Sequence, residues 1–192
     1  WLATQQNQSS GQFGGQFALA NTAGAVLAFE NEGHFPGSGT IYAANVEKGL
    51  DYLFNFCYWQ NGIYPQTHGN PDSNGNQRGI FFRQVSPMYE TGMIIPTIVA
   101  SNTPNRVVTR GQCAGLTYRE VVVEIVDYLS WAQGDRGSGI GAWHYNPNTS
   151  YGDNSISQWP VLGLIAAERW GVMAPPFVRQ LLNDWINYIQ NN

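Results

Sequence analysis

The feature that most constrains this chain is that it repeats. Three segments end alike: Leu50-Asp51-Tyr52-Leu53, Val126-Asp127-Tyr128-Leu129 and Asn183-Asp184-Trp185-Ile186. Each closes a helical pattern. In the last, Val178, Leu181, Leu182, Trp185, Ile186 and Ile189 fall on one stripe of a 3.6-residue helix. In the middle segment Val122, Ile125, Val126, Leu129 and Ala132 do the same, after a capping box formed by Thr117 and Glu120. The first segment uses Val46, Leu50, Leu53 and Phe56. Each striped helix follows a more uniformly apolar one, predicted over 23–32, 88–100 and 158–170. Ser86 and Pro87 offer an N-cap and a first residue to the second of these; Asn154, Ser155 and Ser157 are cap candidates for the third. Thr22 and Thr91 stand 69 residues apart, and Pro160 a further 69 on. Gly33 and Gly171 suit the left-handed position after a helix, and Pro96 is expected to kink its helix. The unit is therefore a helical hairpin, and three of them fill a single domain over 1–192. Helices apolar on all sides belong inside and striped ones outside, so stacked hairpins give a curved double layer.

Composition removes several function classes. Charged residues make up only 11%, Lys48 is the only lysine, and the formal net charge is -4, so no basic stripe for nucleic acid exists. No run of about 18 apolar residues could form a transmembrane helix. The chain starts without Met or a signal peptide, which reads as a mature product or an excised piece. Amides, hydroxyls and aromatics (9 Phe, 10 Tyr, 7 Trp) take the place of charge. That balance points to an extracellular or cell-surface location, with the periplasm also admissible. Asn7-Gln8-Ser9 and Asn148-Thr149-Ser150 would permit glycosylation. Cys57 and Cys113 lie near opposite ends of parallel outer helices, about a helix length apart, and are expected to be two free, mostly buried thiols.

The motifs resemble a known family. Trp1-Leu2-x-x-Gln5-Gln6 followed by Gly11-Gln12-Phe13-Gly14-Gly15 is similar to the helix end and glycine-aromatic turn of the squalene cyclase and prenyltransferase repeat. So is Tyr128-Leu129-x-x-x-Gln133 followed by Gly141-Ala142-Trp143-His144-Tyr145, as is the stretch from Asp153-Asn154-Ser155 through Gln158-Trp159 to Gly171 and Pro175. The resemblance implies an all-α fold, an α/α toroid, here partial: three hairpins with inner and outer helix layers where a complete ring has about six. It leaves three arrangements: an open arc, a piece cut from a longer polypeptide, or copies that assemble. The excised or modular reading is preferred. The end hairpins of an open arc keep apolar faces that self-association or the remainder of a larger polypeptide would cover.

The family's chemistry does not carry over. The cyclases' Asp-rich motif is reduced to one carboxylate, Asp153, in Tyr151-Gly152-Asp153-Asn154-Ser155, where a helix cap is the simpler role. The prenyltransferases' zinc ligands and the thioester element of complement-type toroids have no counterpart at Cys57 or Cys113. No metal and no cofactor are expected. Asp72, Asn74 and Asn76 alternate like a calcium loop, but glycine falls at 75 and no glutamate closes it, so a turn-rich loop is the better reading. His34 follows Gly33 as an ordinary helix-end residue; His68 and His144 could serve as acid–base groups, but nothing in the sequence pairs them with a nucleophile.

Topology gathers what polar chemistry remains. The inner-helix N-termini and the long links 57–85 and 133–154 share one end of the stack, and links of this length are commonly functional. A ligand site there would draw on Trp143, His144, Tyr145, Asp153, Trp159, Tyr89, Glu90 and Arg83, with Asp153, His144 and Glu90 as candidate catalytic groups. The competing reading is that these aromatics only pack the links onto the helices. The function expected is a non-catalytic extracellular module for ligand binding or assembly, with a carbohydrate or an apolar small molecule as candidate ligand. The alternative is an enzyme, either terpene-cyclase-like with an aromatic cavity or a polysaccharide lyase or glycosidase.

Overall fold

The stripes and caps read above become six α-helices in the computed structural model, which describes residues 1–191. They are α1 (Ala18–Asn31), α2 (Ala43–Phe54), α3 (Pro87–Ala100), α4 (Tyr118–Ala132), α5 (Asn154–Ala167) and α6 (Pro176–Asn191). The chain is thus mostly helical. One departure from an all-helical expectation lies in the first long link, where β1 (Cys57–Asn61) and β2 (Arg78–Phe82) pair antiparallel, Cys57 opposite Phe82. Ile80 and Phe82, two residues apart and so on one face of β2, are buried in the core, while Arg78 at the strand's start is exposed and stacks over the Trp59 ring.

Helix α3 lies between α1 and α5; α2 packs on α1, and α4 packs on α3, α5 and β2. Buried Val46, Leu50 and Leu53 fix the inward face of α2, and Phe177, Val178, Leu181 and Trp185 that of α6. The even apolarity of α3 is matched by burial on nearly every side. Two helices differ from expectation. Helix α4, read as half-solvated, is enclosed because the link 72–78 folds over it. Helix α5, read as an interior rod, leaves Leu162 and Ile165 in solvent because no element among the described residues covers its far side.

The three units share a hidden register. The backbone N–H of Phe13, of Phe82 and of Trp143 each donates to a helix hydroxyl at 2.9 Å: Thr22, Thr91 and Ser157 respectively. Ser157 therefore matches Thr91, where the sequence had suggested Pro160; the match moves by three residues, one helical turn. Helix α5 correspondingly starts at Asn154, placing Pro160 in its second turn, and Asp153 is the N-cap in place of Asn154, Ser155 or Ser157. The extra turn is recovered at the far end by a 3-10 segment, Glu168–Trp170, before the left-handed Gly171.

One glycine per unit approaches an outer helix. A Cβ on Gly11, Gly79 or Gly141 would meet the carbonyl oxygen of Lys48, Glu124 or Leu181, each three residues before the recurring Asp51, Asp127 or Asp184. Only a residue without a side chain fits there. A glutamine then locks two of the units. Gln6 Nε2 donates to the carbonyls of Gly11 and Asn45 at 2.9 Å each, and Gln133 Nε2 to those of Gly141 (2.9 Å) and Val178 (3.0 Å). Both follow a leucine by four residues (Leu2, Leu129), and the residue four after Leu53 is Cys57.

Cys57 is not a free thiol. It is disulfide-bonded to Cys113, with a Cα–Cα separation of 6.2 Å. The expectation of two free thiols fails because the segment before α4 folds back. Val108 and Leu116 close a hairpin (2.8 Å), Gly111 tucks against the Phe54 carbonyl, and the Trp59 indole donates to Gln112 (3.2 Å). In the middle unit a covalent bond thus stands where a glutamine ties the other two.

Candidate functional site

Helix N-termini organise the end of the stack where the site was expected. Asp153 caps α5: its carboxylate accepts from the amides of Ser155 (2.7 Å) and Ile156 (3.3 Å) and from the Ser155 hydroxyl (2.6 Å). The Ser155 hydroxyl and these amides, with a smaller contribution from His144, hold Asp153 below the usual aspartate range. On α3, Ser86 occupies the N-cap position without a side-chain capping bond. Glu90 takes over: its carboxylate accepts from the backbone amides of Gln84 (2.7 Å), Val85 (3.0 Å) and Ser86 (3.1 Å). Both carboxylates are engaged in fixing backbone.

The remaining predicted residues divide. Tyr89, Glu90 and Tyr145 converge on one apolar cavity of about 250 Å³, completed by Phe17, Ala20, Val85 and Ser86. Trp159 packs against Tyr89 with ring centroids 5.3 Å apart. His144 lies between the rings of Tyr145 (5.2 Å) and Tyr151 (4.7 Å), on the Asp153 side. Two predicted residues are not in this group. Trp143 is buried, and its indole N–H donates to the Leu129 carbonyl at 2.9 Å. Arg83 turns toward the Phe81 ring, 6.0 Å from its centroid. Trp143 thus packs the second link onto α4.

Phe17 was missed because a phenylalanine with φ 55, in the left-handed region, has no sequence signature. A second cleft, about 500 Å³, also went unread. It is walled by His68, Phe177, Gln180, Asp184, Trp185 and Tyr188. The spacing of 177, 180, 184 and 188 on one edge of α6 is a signal that could have revealed it. Trp185 and Tyr188 pack at 5.8 Å, and the Trp185 indole donates to Asn154 Oδ1 (3.0 Å).

The link over α4 holds further buried acids. Asp72 accepts from the amides of Gly75 and Gln77 (2.8 Å each), while the side chains of Asn74 and Asn76 donate to Glu124 Oε1 (2.9 and 2.7 Å). Asp72 thus braces the loop and Glu124 ties it to α4, and no group of three or more metal-binding side chains occurs among the described residues. Asp127 is buried, accepts from the Ser73 amide at 3.1 Å, and is raised to about 6 by burial. No family model, curated protein or solved structure matches the chain.

Proposed function

We propose that this chain is a non-catalytic extracellular interaction module, a partial α/α toroid whose end hairpins are docking faces. The observation that carries this reading is the unfinished helix row. On α5, Leu162 is 48% and Ile165 57% exposed, beside a groove of about 590 Å³ shared with Met173, Pro176 and α6. Large apolar side chains gathered on one face are an interaction surface in a water-exposed protein. The occupation of Asp153 and Glu90 by backbone amides supports the same reading, since a general acid or base needs a proton route to a ligand. The disulfide and the sparse charge fit an oxidising compartment. No helix among the described residues is long and apolar enough to cross a membrane.

The test is turnover. The purified chain, incubated with linear polyprenyl substrates and with a panel of polysaccharides, is expected to leave both unchanged. A defined product whose formation is abolished in Asp153→Asn or Glu90→Gln would overturn the reading. One observation favours a carbohydrate ligand as a second reading: the Trp185–Tyr188 cleft sets aromatic faces beside His68, Gln180 and Asp184. Oligosaccharides that quench tryptophan fluorescence in the parent and not in Tyr188→Ala would support it.

A further inference from the structure

We infer that a second copy of this chain docks head to tail, the free face of its α1 on the free face of α5. The inference rests on the interaction-module reading and gives it a partner. The chain already makes this interface twice. Between α1 and α3, the Thr97 hydroxyl of α3 donates to the Ala23 carbonyl of α1 at 3.2 Å. Between α3 and α5, Gly163 of α5 lies against Gly92 of α3, and a Cβ on Gly163 would press on Ile95.

The hydroxyl register of Thr22, Thr91 and Ser157 makes these one contact. Ala23 and Gly92 each follow the hydroxyl residue by one, and Thr97 and Gly163 each follow it by six. The same count leaves two positions unmatched. One past Ser157 is Gln158 on α5, which is exposed; six past Thr22 is Ala28 on α1, also exposed. Continuing the row places Ala28 of one copy against Gln158 of another. Val161 and Ile165 on α5 stand where Ile95 and Val99 stand on α3.

The receiving face suits this. It is a shallow depression of about 650 Å³ between the chain's first turn and α1, floored by Gly24, Ala25 and Ala28 and edged by Trp1 and Leu2. Small residues at position 28 match Thr97 and Gly163 and let helices approach closely. The opposing face of α5 supplies the larger side chains. Such a contact is heterologous, so copies close into a ring or continue as a chain according to the rotation between them.

The experiment is sedimentation equilibrium on three preparations, with thermal unfolding as the check that each is folded. The unaltered chain is expected to associate reversibly into dimers or larger species. Ile165→Asp and Ala28→Arg, each altering one exposed face, should each weaken association at least tenfold. Mixed in equal amounts they should restore a 1:1 heterodimer, because one intact junction remains between them. If Ala28→Arg alone still dimerises, α5 pairs with α5 and the inference is wrong. A monomeric unaltered chain also overturns it, while leaving the module reading to the turnover assay.

Discussion

Glu30 shows most plainly what a single residue does to this fold. It stands on the α3-facing side of α1, where α3 has Val99 and α5 has Ile165 in the same register. It is 3% exposed, and neither carboxylate oxygen has a hydrogen-bond partner among the described residues. Burial raises it to about 9, so the folded protein carries it neutral at pH 7. The unfolded chain releases that proton near 4.5. Between these values the folded state binds more protons, so its stability falls as pH rises. Asp127, raised to about 6, acts in the same direction over a narrower range. Glu30→Gln should stabilise the protein at pH 8 by up to about 5 kcal/mol, and by almost nothing at pH 4. Urea unfolding at the two pH values measures this; an equal gain at both would contradict it. Glycine gives a second prediction at this scale. Gly33→Ala (φ +84, open space) should cost about 1 kcal/mol, the left-handed penalty alone. Gly141→Ala adds a collision with the Leu181 carbonyl and should cost roughly 2–4 kcal/mol.

At the scale of elements, the sequence exposed the stripes and concealed the ties. Val46, Leu50 and Leu53 on α2, and Val122, Ile125 and Leu129 on α4, are buried as their spacing dictates. The Thr117–Glu120 box is present at the start of α4. Periodicity is a local property, and these features are local. The Cys57–Cys113 bond was illegible because it depends on how an irregular segment folds back. The three-residue shift at α5 arose because Pro160 was matched by spacing, whereas the true landmark is a hydroxyl bonded to a residue 14 positions earlier. At the site, the Asp153 cap was readable from its place before a helix, but the burial of Trp143 and the cleft beside Trp185 needed tertiary structure. The bond that replaces the glutamine tie spans 56 residues of sequence, and loop-closure entropy assigns it about 4 kcal/mol. Reduction should therefore lower the unfolding midpoint of the middle unit's helices as well as of the whole. Gln133→Ala, which frees the buried carbonyls of Gly141 and Val178, should cost roughly 1–3 kcal/mol by the same assay. A midpoint unchanged by reductant would show that the bond adds nothing to the fold.

At the largest scale, the described residues use one helix–helix contact twice, α1 on α3 and α3 on α5, and leave one face of α1 and one of α5 exposed. That arrangement accounts for why α3 is enclosed while α1 and α5 each keep an apolar side in water. The Tyr89–Tyr145 cavity lies at the helix N-termini, whereas the Trp185 cleft shares Gln180 with the groove beside Ile165. The most direct test is a cross-link at the continued contact. Gln158→Cys and Ala28→Cys are prepared separately, then mixed under mild oxidation with the native disulfide intact. A disulfide-linked heterodimer forming far faster in the mixture than homodimers form from either variant alone is the predicted result. Equal cross-linking of Gln158→Cys with itself, or none in the mixture, would contradict the account.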